Sequence, residues 1–469
     1  MAPKPAAVMV LLLLMVVGGG LGHHAHAAVP LRRALSVDGM NGMRGGSPGG
    51  MQPSETTSKV LASVGEEEGN HYMSAEDAKF IHTVSALPLH GHCKAAGVAR
   101  GRRSCIDKAR GKKQRQVEGM FVFGSSLVDN GNNNFINGSV VRADYLPYGV
   151  DFPLGPSGRF SNGRNVIDAL GELLRLPGLV PPFADPATRG RAALHGVNFA
   201  SGGSGILDHT GQLTGAVMSL RQQITNFEAV TLPDLRAQMH GAMAINNHRM
   251  KKGHDPFREC YLSKCLFVIG TGGNDYLLNY FNPRNNGTED RPPLLEFTRS
   301  LITKLSEHLQ RLYSLGARKF VVFSIQPNGC TPVVRSFLNL TGDACIEPVN
   351  DAVALFNSEL RRLVDDARSR MPAARFSYIN SYRIIKDMLD HPAKHGVKET
   401  GRACCGISRD SSGVLCEKEG PICRDRTKYV FFDGLHPTDA VNARIARKGY
   451  GSSSPEHAYP INVKQLAML

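Results

Sequence analysis

Met120-Phe121-Val122-Phe123-Gly124-Ser125-Ser126-Leu127-Val128-Asp129-Asn130 is an apolar, aromatic and β-branched run that stops at a glycine and meets two serines and an acid. Its first four residues carry no polar side chain, which fits a strand buried on both faces, as in a parallel sheet. Similar short runs recur at Gly196–Phe199, Leu266–Ile269, Phe320–Ile325 and Phe376–Ile379, with Gly, Asn or Pro at or near their ends. Between them lie helical patterns over Asn165–Leu176, Ala216–Ala229, Leu294–Leu315 and Val349–Arg370. Strands alternating with helices predict an α/β fold, one open parallel sheet sandwiched between helices. In such sheets ligands bind outside the carboxyl ends of the strands.

Chemistry-bearing residues fall at those ends. Ser126 lies just past the first run, Gly202-Gly203 past the second, and Asn274 (in Gly272-Gly273-Asn274-Asp275) past the third. Far along the chain, Asp433-Gly434-Leu435-His436-Pro437 places a carboxylate and an imidazole three residues apart. A serine hydroxyl is a poor nucleophile until a base takes its proton, and the base works best when a carboxylate orients it. A fixed donor must also face the oxygen that turns negative. Taken singly, each residue has a plainer reading. Ser126 fits a helix cap after a strand, Asn274-Asp275 an ordinary turn pair, and Gly202-Gly203 a tight loop. His436 before Pro437 fits a surface turn, and Asp433 the cap of a helix starting near Thr438. Ser126, Gly202-Gly203 and Asn274 at the ends of three parallel strands can converge on one crevice, and that convergence weighs more than any single motif. The Asn130–Asn134 run reads as structural, its side chains hydrogen-bonding within a loop.

With these blocks in view, a family resemblance is specific. Phe121–Asn134 resembles the first block of plant GDSL esterase/lipases, within the SGNH hydrolase superfamily. Val197–Leu207, Ile269–Tyr276 and Phe432–Thr438 resemble the later blocks, in the same order. The resemblance implies the flavodoxin-like SGNH hydrolase fold, a three-layer α/β/α arrangement with a central, mostly parallel five-stranded sheet. It implies Ser126 as nucleophile, His436 as general base and then acid, and Asp433 as the group orienting the imidazole. The oxyanion hole it implies is the Ser126 N–H, the Gly203 N–H and the Asn274 side-chain amide. The expected activity is that of a serine esterase/lipase working through an acyl-enzyme, without metal or organic cofactor. Expected substrates are small-molecule or lipid esters, either acyl lipids or acetylated sugars. An acyltransferase using the same acyl-enzyme, or a silent binding protein on the same scaffold, are the alternatives. Two positions depart from the family pattern. Ser125 stands where Asp usually precedes the nucleophile, expected to tune the site without silencing it, and Phe432 stands where Trp is common.

Outside the blocks, Lys4, the apolar run Ala6–Val17 and Ala25-His26-Ala27 predict a secretory signal peptide over residues 1–27. A secreted, cell-wall location follows as an expectation. The apolar run is shorter than the ~20 residues a membrane span needs, and no later segment reads as transmembrane. Residues 28–117 are rich in Gly, Ser, Ala and charge and read as a basic, mostly disordered extension, with a short helix expected over Ala75–Leu87. The hydrolase domain is expected over 118–469. The net charge of +14 is concentrated in part between Lys94 and Arg115, where nine Lys or Arg face one Asp. No aromatic residue is interleaved there, so nucleic acid is not an expected partner. Ten cysteines suit an oxidising compartment. Cys404, Cys405, Cys416 and Cys423 read as a locally stapled loop, and Cys330 with Cys345 as another short closure, the pairing left open. Sequons at Asn137, Asn286 and Asn339 are candidate glycosylation sites.

Overall fold

The computed structural model describes residues 115–243, 255, 257–282, 291–336, 344–411 and 413–469. The expected signal peptide, nearly all of the expected extension with its Ala75–Leu87 helix, and the sequons at Asn286 and Asn339 lie outside the described residues.

Strands β1 (Met120–Gly124), β2 (Leu266–Gly270), β3 (Lys319–Phe323) and β4 (Arg375–Ile379) pair in parallel in that order. A separate two-stranded parallel ribbon joins β5 (Glu399–Ala403) to β6 (Tyr429–Phe431), and β7 (Ala458–Pro460) adds an antiparallel edge beside β4. Among the described residues the main sheet therefore has five strands, but not the five expected. The Gly196–Phe199 run does lie along the free edge of β1, where Val122 N–H donates to Val197 O at 3.0 Å and Phe199 N–H to Val122 O at 2.7 Å. It makes only isolated parallel bridges, from Asn198 to Val122 and to Pro182. Gly196, at φ +116° ahead of it, breaks the pleat. The fifth strand is β7, a three-residue piece ending in proline, which is tolerated at a sheet edge and too short to show a period.

Alternate residues of the strands supply two cores. Phe121, Phe123, Phe267, Ile269, Phe320 and Phe376 face one side, and Met120, Val122, Leu266, Val268 and Val321 face the other. In chain order the helices are α1 (Val166–Leu174), α2 (Leu220–Asn226), α3 (Leu232–Met243), α4 (Leu294–Leu315), α5 (Pro332–Ser336), α6 (Glu347–Arg370), α7 (Ser381–Asp390), α8 (Asp439–Gly451) and α9 (Val463–Met468). The phenylalanine-rich face packs on α2, α4 and α6, while the aliphatic face packs on α1, α7, α8 and α9. Both faces are thus covered, which explains why β1 and β2 read as unbroken apolar runs up to their closing glycines. Each fully buried large side chain is worth roughly 1.5–3 kcal/mol. The result is a three-layer α/β/α sandwich.

Among the described residues, three disulfides close short loops: Cys330–Cys345, Cys404–Cys423 and, nested inside the last, Cys405–Cys416. Among the described residues, no helix is long and apolar enough to cross a membrane.

Candidate active site

The carboxyl end of β1 is fixed before it reaches the serines. Gly124 takes φ +148°, and a Cβ there would sit 2.2 Å from Gly270 O of β2, so only glycine fits. The side chain of Gln223 in α2 bonds the backbone of the same glycine twice, accepting from Gly124 N–H at 2.8 Å and donating to Gly124 O at 2.9 Å. One residue beyond Ser125, Ser126 starts a single 3-10 turn, Ser126–Val128.

His436 Nε2 lies 2.8 Å from Ser126 Oγ, although 310 positions separate them in the chain. On the other side of the ring, Nδ1 sits 2.9 and 2.8 Å from the two oxygens of Asp433. Asp433 Oδ1 also accepts the Leu435 and His436 backbone N–H groups, at 2.8 and 2.7 Å. This carboxylate therefore closes its own turn and does not cap the helix that follows. All three residues are buried, Asp433 completely. Phe160 lies tilted on the imidazole, with ring centroids 4.9 Å apart.

The second block comes to the same place through a set of buried polar side chains. Asp129 Oδ1 accepts from Gly131 and Asn132 N–H at 2.7 and 2.8 Å, and Oδ2 accepts from Gly202 N–H at 2.9 Å. Burial pushes Asp129 up to about 6, against the pull of those three N–H donors and of Arg159. Asn132 Nδ2 donates to Asn198 O and Ala200 O, and Asn133 Nδ2 to Gly202 O. The asparagine run is thus the staple that holds the glycine loop against the nucleophile turn. Gly203 has φ +85°, and a Cβ there would meet Thr214 Oγ1 at 2.9 Å. Asn274 Nδ2 spends one hydrogen on Ser204 O at 2.9 Å, which leaves its second free to donate. Among the described residues, neither the Ser126 N–H nor the Gly203 N–H donates to a protein acceptor.

Beside Ser126 runs a narrow cleft with apolar walls from Val166, Phe323, Ile385 and Ile445 and with Ser125, Thr271 and Asn274 among its polar lining. A serine hydroxyl, an imidazole, a carboxylate and a set of N–H donors therefore meet near the carboxyl ends of parallel strands. That arrangement is equipped for acyl transfer.

The profile of the GDSL-like lipase/acylhydrolase family matches residues 120–448, which contain every residue of this constellation. The chain belongs to that family. Among similar proteins, one GDSL esterase/lipase of Arabidopsis thaliana is 41% identical over 358 residues, covering 76% of this chain and 90% of the relative. Another from the same plant is 38% identical over 360 residues, 77% of this chain and 94% of the relative. GDSL esterase/lipase 7 of Arabidopsis thaliana is 39% identical over 352 residues, 74% and 92% respectively.

Within this GDSL domain, a few residues that matter to the site escaped the sequence reading. Asp275, to which the sequence reading assigns no role in the site, is fully buried and accepts from Ile206 N–H, Leu207 N–H and the Thr210 hydroxyl. Its carboxyl is raised above the usual range, burial outweighing those donors. It ties the third block to the second as Asp129 ties the first. Tyr148 donates to Asp433 Oδ2 at 2.7 Å across 285 positions, and no local pattern marks it. The two departures from the family pattern are also placed. Ser125 lines the cleft, its hydroxyl making no hydrogen bond among the described residues, and the Ser126–His436–Asp433 contacts are complete without a carboxylate there. Phe432 is fully buried and packs edge-on against Tyr148, centroids 5.7 Å apart. Asn137 lies on the described surface loop ahead of the glycine block, in an exposed position suited to modification.

Proposed function

We propose that this chain hydrolyses carboxylic esters, of acyl lipids or acetylated sugars, through an acyl-enzyme on Ser126. The observation that carries the reading is the 2.8 Å contact between Ser126 Oγ and His436 Nε2, with Asp433 on the opposite ring nitrogen. His436 Nε2 takes the Oγ proton as Oγ bonds to the ester carbonyl carbon, and the carbonyl π pair moves onto oxygen. The Ser126 and Gly203 N–H groups and the Asn274 amide are the donors for that oxyanion. Collapse re-forms the carbonyl, breaks the bond to the alcohol oxygen, and His436 returns its proton to the departing alkoxide. Water then attacks the acyl carbon, gives its proton to His436, and Ser126 leaves carrying that proton. Asp433 orients the imidazole and stabilises the imidazolium that forms. The apolar cleft beside Ser126 supports an acyl chain as the buried part of the substrate. The N-terminal sequence supports secretion, with a mature chain starting at Ala28.

The test is labelling by a fluorophosphonate, together with an ester panel running from acetyl to long acyl and sugar acetates. Modification of Ser126 and turnover of at least one ester, both abolished in Ser126→Ala, are expected. A folded protein that neither labels nor turns over any ester would be a binding protein on this scaffold. Ester product on adding an acceptor alcohol would make it an acyltransferase.

A further inference from the structure

Asp433 is held from two directions of unequal reach. Its Oδ1 is satisfied entirely by its own turn, from Leu435 N–H and His436 N–H. Its Oδ2, the oxygen closer to His436 Nδ1, has one further partner, the Tyr148 hydroxyl at 2.7 Å. That hydroxyl in turn accepts from Cys416 N–H at 3.1 Å. The Cys416 peptide is gripped on its other side by Tyr145, whose hydroxyl donates to Cys416 O at 3.0 Å. Cys416 is bonded to Cys405, and Cys405 N–H donates to the carbonyl of Phe432, the residue just before Asp433, at 2.9 Å. The path from Phe432 through Cys405, the disulfide, Cys416 and Tyr148 returns to Asp433 and closes a ring around the carboxylate.

We infer that Tyr148 is a positioning residue for Asp433, and that the Cys405–Cys416 disulfide holds Tyr148 in that role. The inference rests on the esterase reading of Ser126 and adds the part that keeps the acid aligned. A carboxylate anchored at Oδ1 alone is free to rock about its Cβ–Cγ bond, and the imidazole that it orients would follow. Tyr148 stops this motion from outside the turn. The phenol is completely buried and wedged against Tyr145, Phe160 and Phe432 at centroid distances of 5.4, 6.1 and 5.7 Å. Burial, and then the negative charge of Asp433, hold its ionisation well above the ordinary phenol range, so it remains a donor at any working pH. Its oxygen has an assigned donor and an assigned acceptor, which fixes the direction of the O–H.

The experiment begins with fluorophosphonate labelling of the full-length wild type, because absence of labelling overturns the esterase reading itself. In a labelling-competent protein, Tyr148→Phe removes one oxygen and leaves the ring packing in place. Turnover of p-nitrophenyl acetate is expected to fall about 10- to 100-fold in kcat with KM within about twofold, as for an interaction that matters in the transition state. Adding Tyr148→Phe to Asp433→Asn is expected to cost less than about threefold, since residues acting through one another are non-additive. Tyr145→Phe, which loosens the same loop without touching Asp433, is expected to lose less than about threefold on the same scale. The pair Cys405→Ala with Cys416→Ala is expected to reproduce the kcat loss and to add little to Tyr148→Phe. An unchanged kcat in Tyr148→Phe, a full further loss in the Asp433→Asn background, or an equal loss in Tyr145→Phe would each overturn the inference while leaving the esterase reading intact. If Tyr148→Phe does not fold, the cysteine pair measured alone and with Asp433→Asn decides the question by the same criterion.

Discussion

Asn274 illustrates how much one amide is asked to do. One of its hydrogens is committed to Ser204 O and fixes the side chain, so the other points with little freedom to reorganise. Asn274→Ala removes an oxyanion donor of the proposed mechanism, and a loss of about 3–4 kcal/mol of transition-state stabilisation is expected, read as a fall of two to three orders of magnitude in kcat. An equal fall in substrate affinity with kcat intact would show that Asn274 only binds substrate. Asp129 is a second case, one step removed from the chemistry. In Asp129→Asn an amide NH2 must replace one acceptor oxygen, and at the Oδ2 position it would face the Gly202 N–H, donor against donor. The peptide leading into Gly203 is expected to shift, with kcat falling about 10- to 100-fold while the fold survives. The pH sign for Asp129 is unusual for a carboxylate. Burial raises it from 3.8 to about 6, so its contribution to stability is fully present below 3.8 and is lost as pH rises through about 6. Asp129→Asn is expected to remove that trend, checked by denaturant midpoints at pH 4 and pH 7.

At the scale of elements, α1 shows how a helix is tied to the site loop. Asn165 caps it by accepting from Ile167 and Asp168 N–H, and Asp168 returns a bond to Asn165 N–H, a complete capping box. Asp168 is also clamped by Arg159 through two bonds, Nε–Oδ2 at 2.7 Å and NH2–Oδ1 at 2.9 Å, with both side chains buried. Arg159 NH1 meanwhile donates to Asn130 O, in the loop after the nucleophile turn. Arg159→Met leaves a buried carboxylate without its counter-charge, for which a loss of about 3–5 kcal/mol in unfolding free energy is expected. A change below about 1 kcal/mol in chemical denaturation would show that the clamp adds nothing net. The element comparison also explains what a linear reading misses. β1 to β4 are buried on both faces and announce themselves by composition. The Gly196–Phe199 run has the same composition, yet Gly196 and the side-chain bonds of Asn198 divert it into an edge bridge. No window of sequence distinguishes the two, because the difference lies in whether a neighbour continues the ladder.

For the molecule as a whole, acid sensitivity falls in part on His308 in α4, far from the proposed chemistry along the chain. It is buried, its Nε2 has no partner among the described residues, and burial lowers it from 6.5 to about 4. A depressed histidine contributes stability that is present above about 6.5 and lost as pH falls to about 4, the reverse of Asp129. The two groups oppose each other across that window. Replacing His308→Gln is therefore expected to shrink the drop in unfolding free energy between pH 7 and pH 4.5, by at most about 3 kcal/mol. An unchanged drop would place the acid sensitivity elsewhere. The same scale separates what was legible in the sequence from what was not. Buried parallel strands, the helices between them and the chemistry-bearing residues at strand ends were readable, because local composition and period follow from burial on two faces. The cysteine loops were readable as loops, but the nested pairing was not. Ser126, Gly203, Asn274, Asp433 and His436 are legible in local blocks. Their meeting within hydrogen-bonding distance, the buried acids Asp129 and Asp275 that draw the blocks together, and the Tyr148 bond to Asp433 were decided only by tertiary structure. Each joins residues up to 310 positions apart, and a hydrogen bond depends on angstroms in space, which one-dimensional spacing does not encode once the chain between has folded.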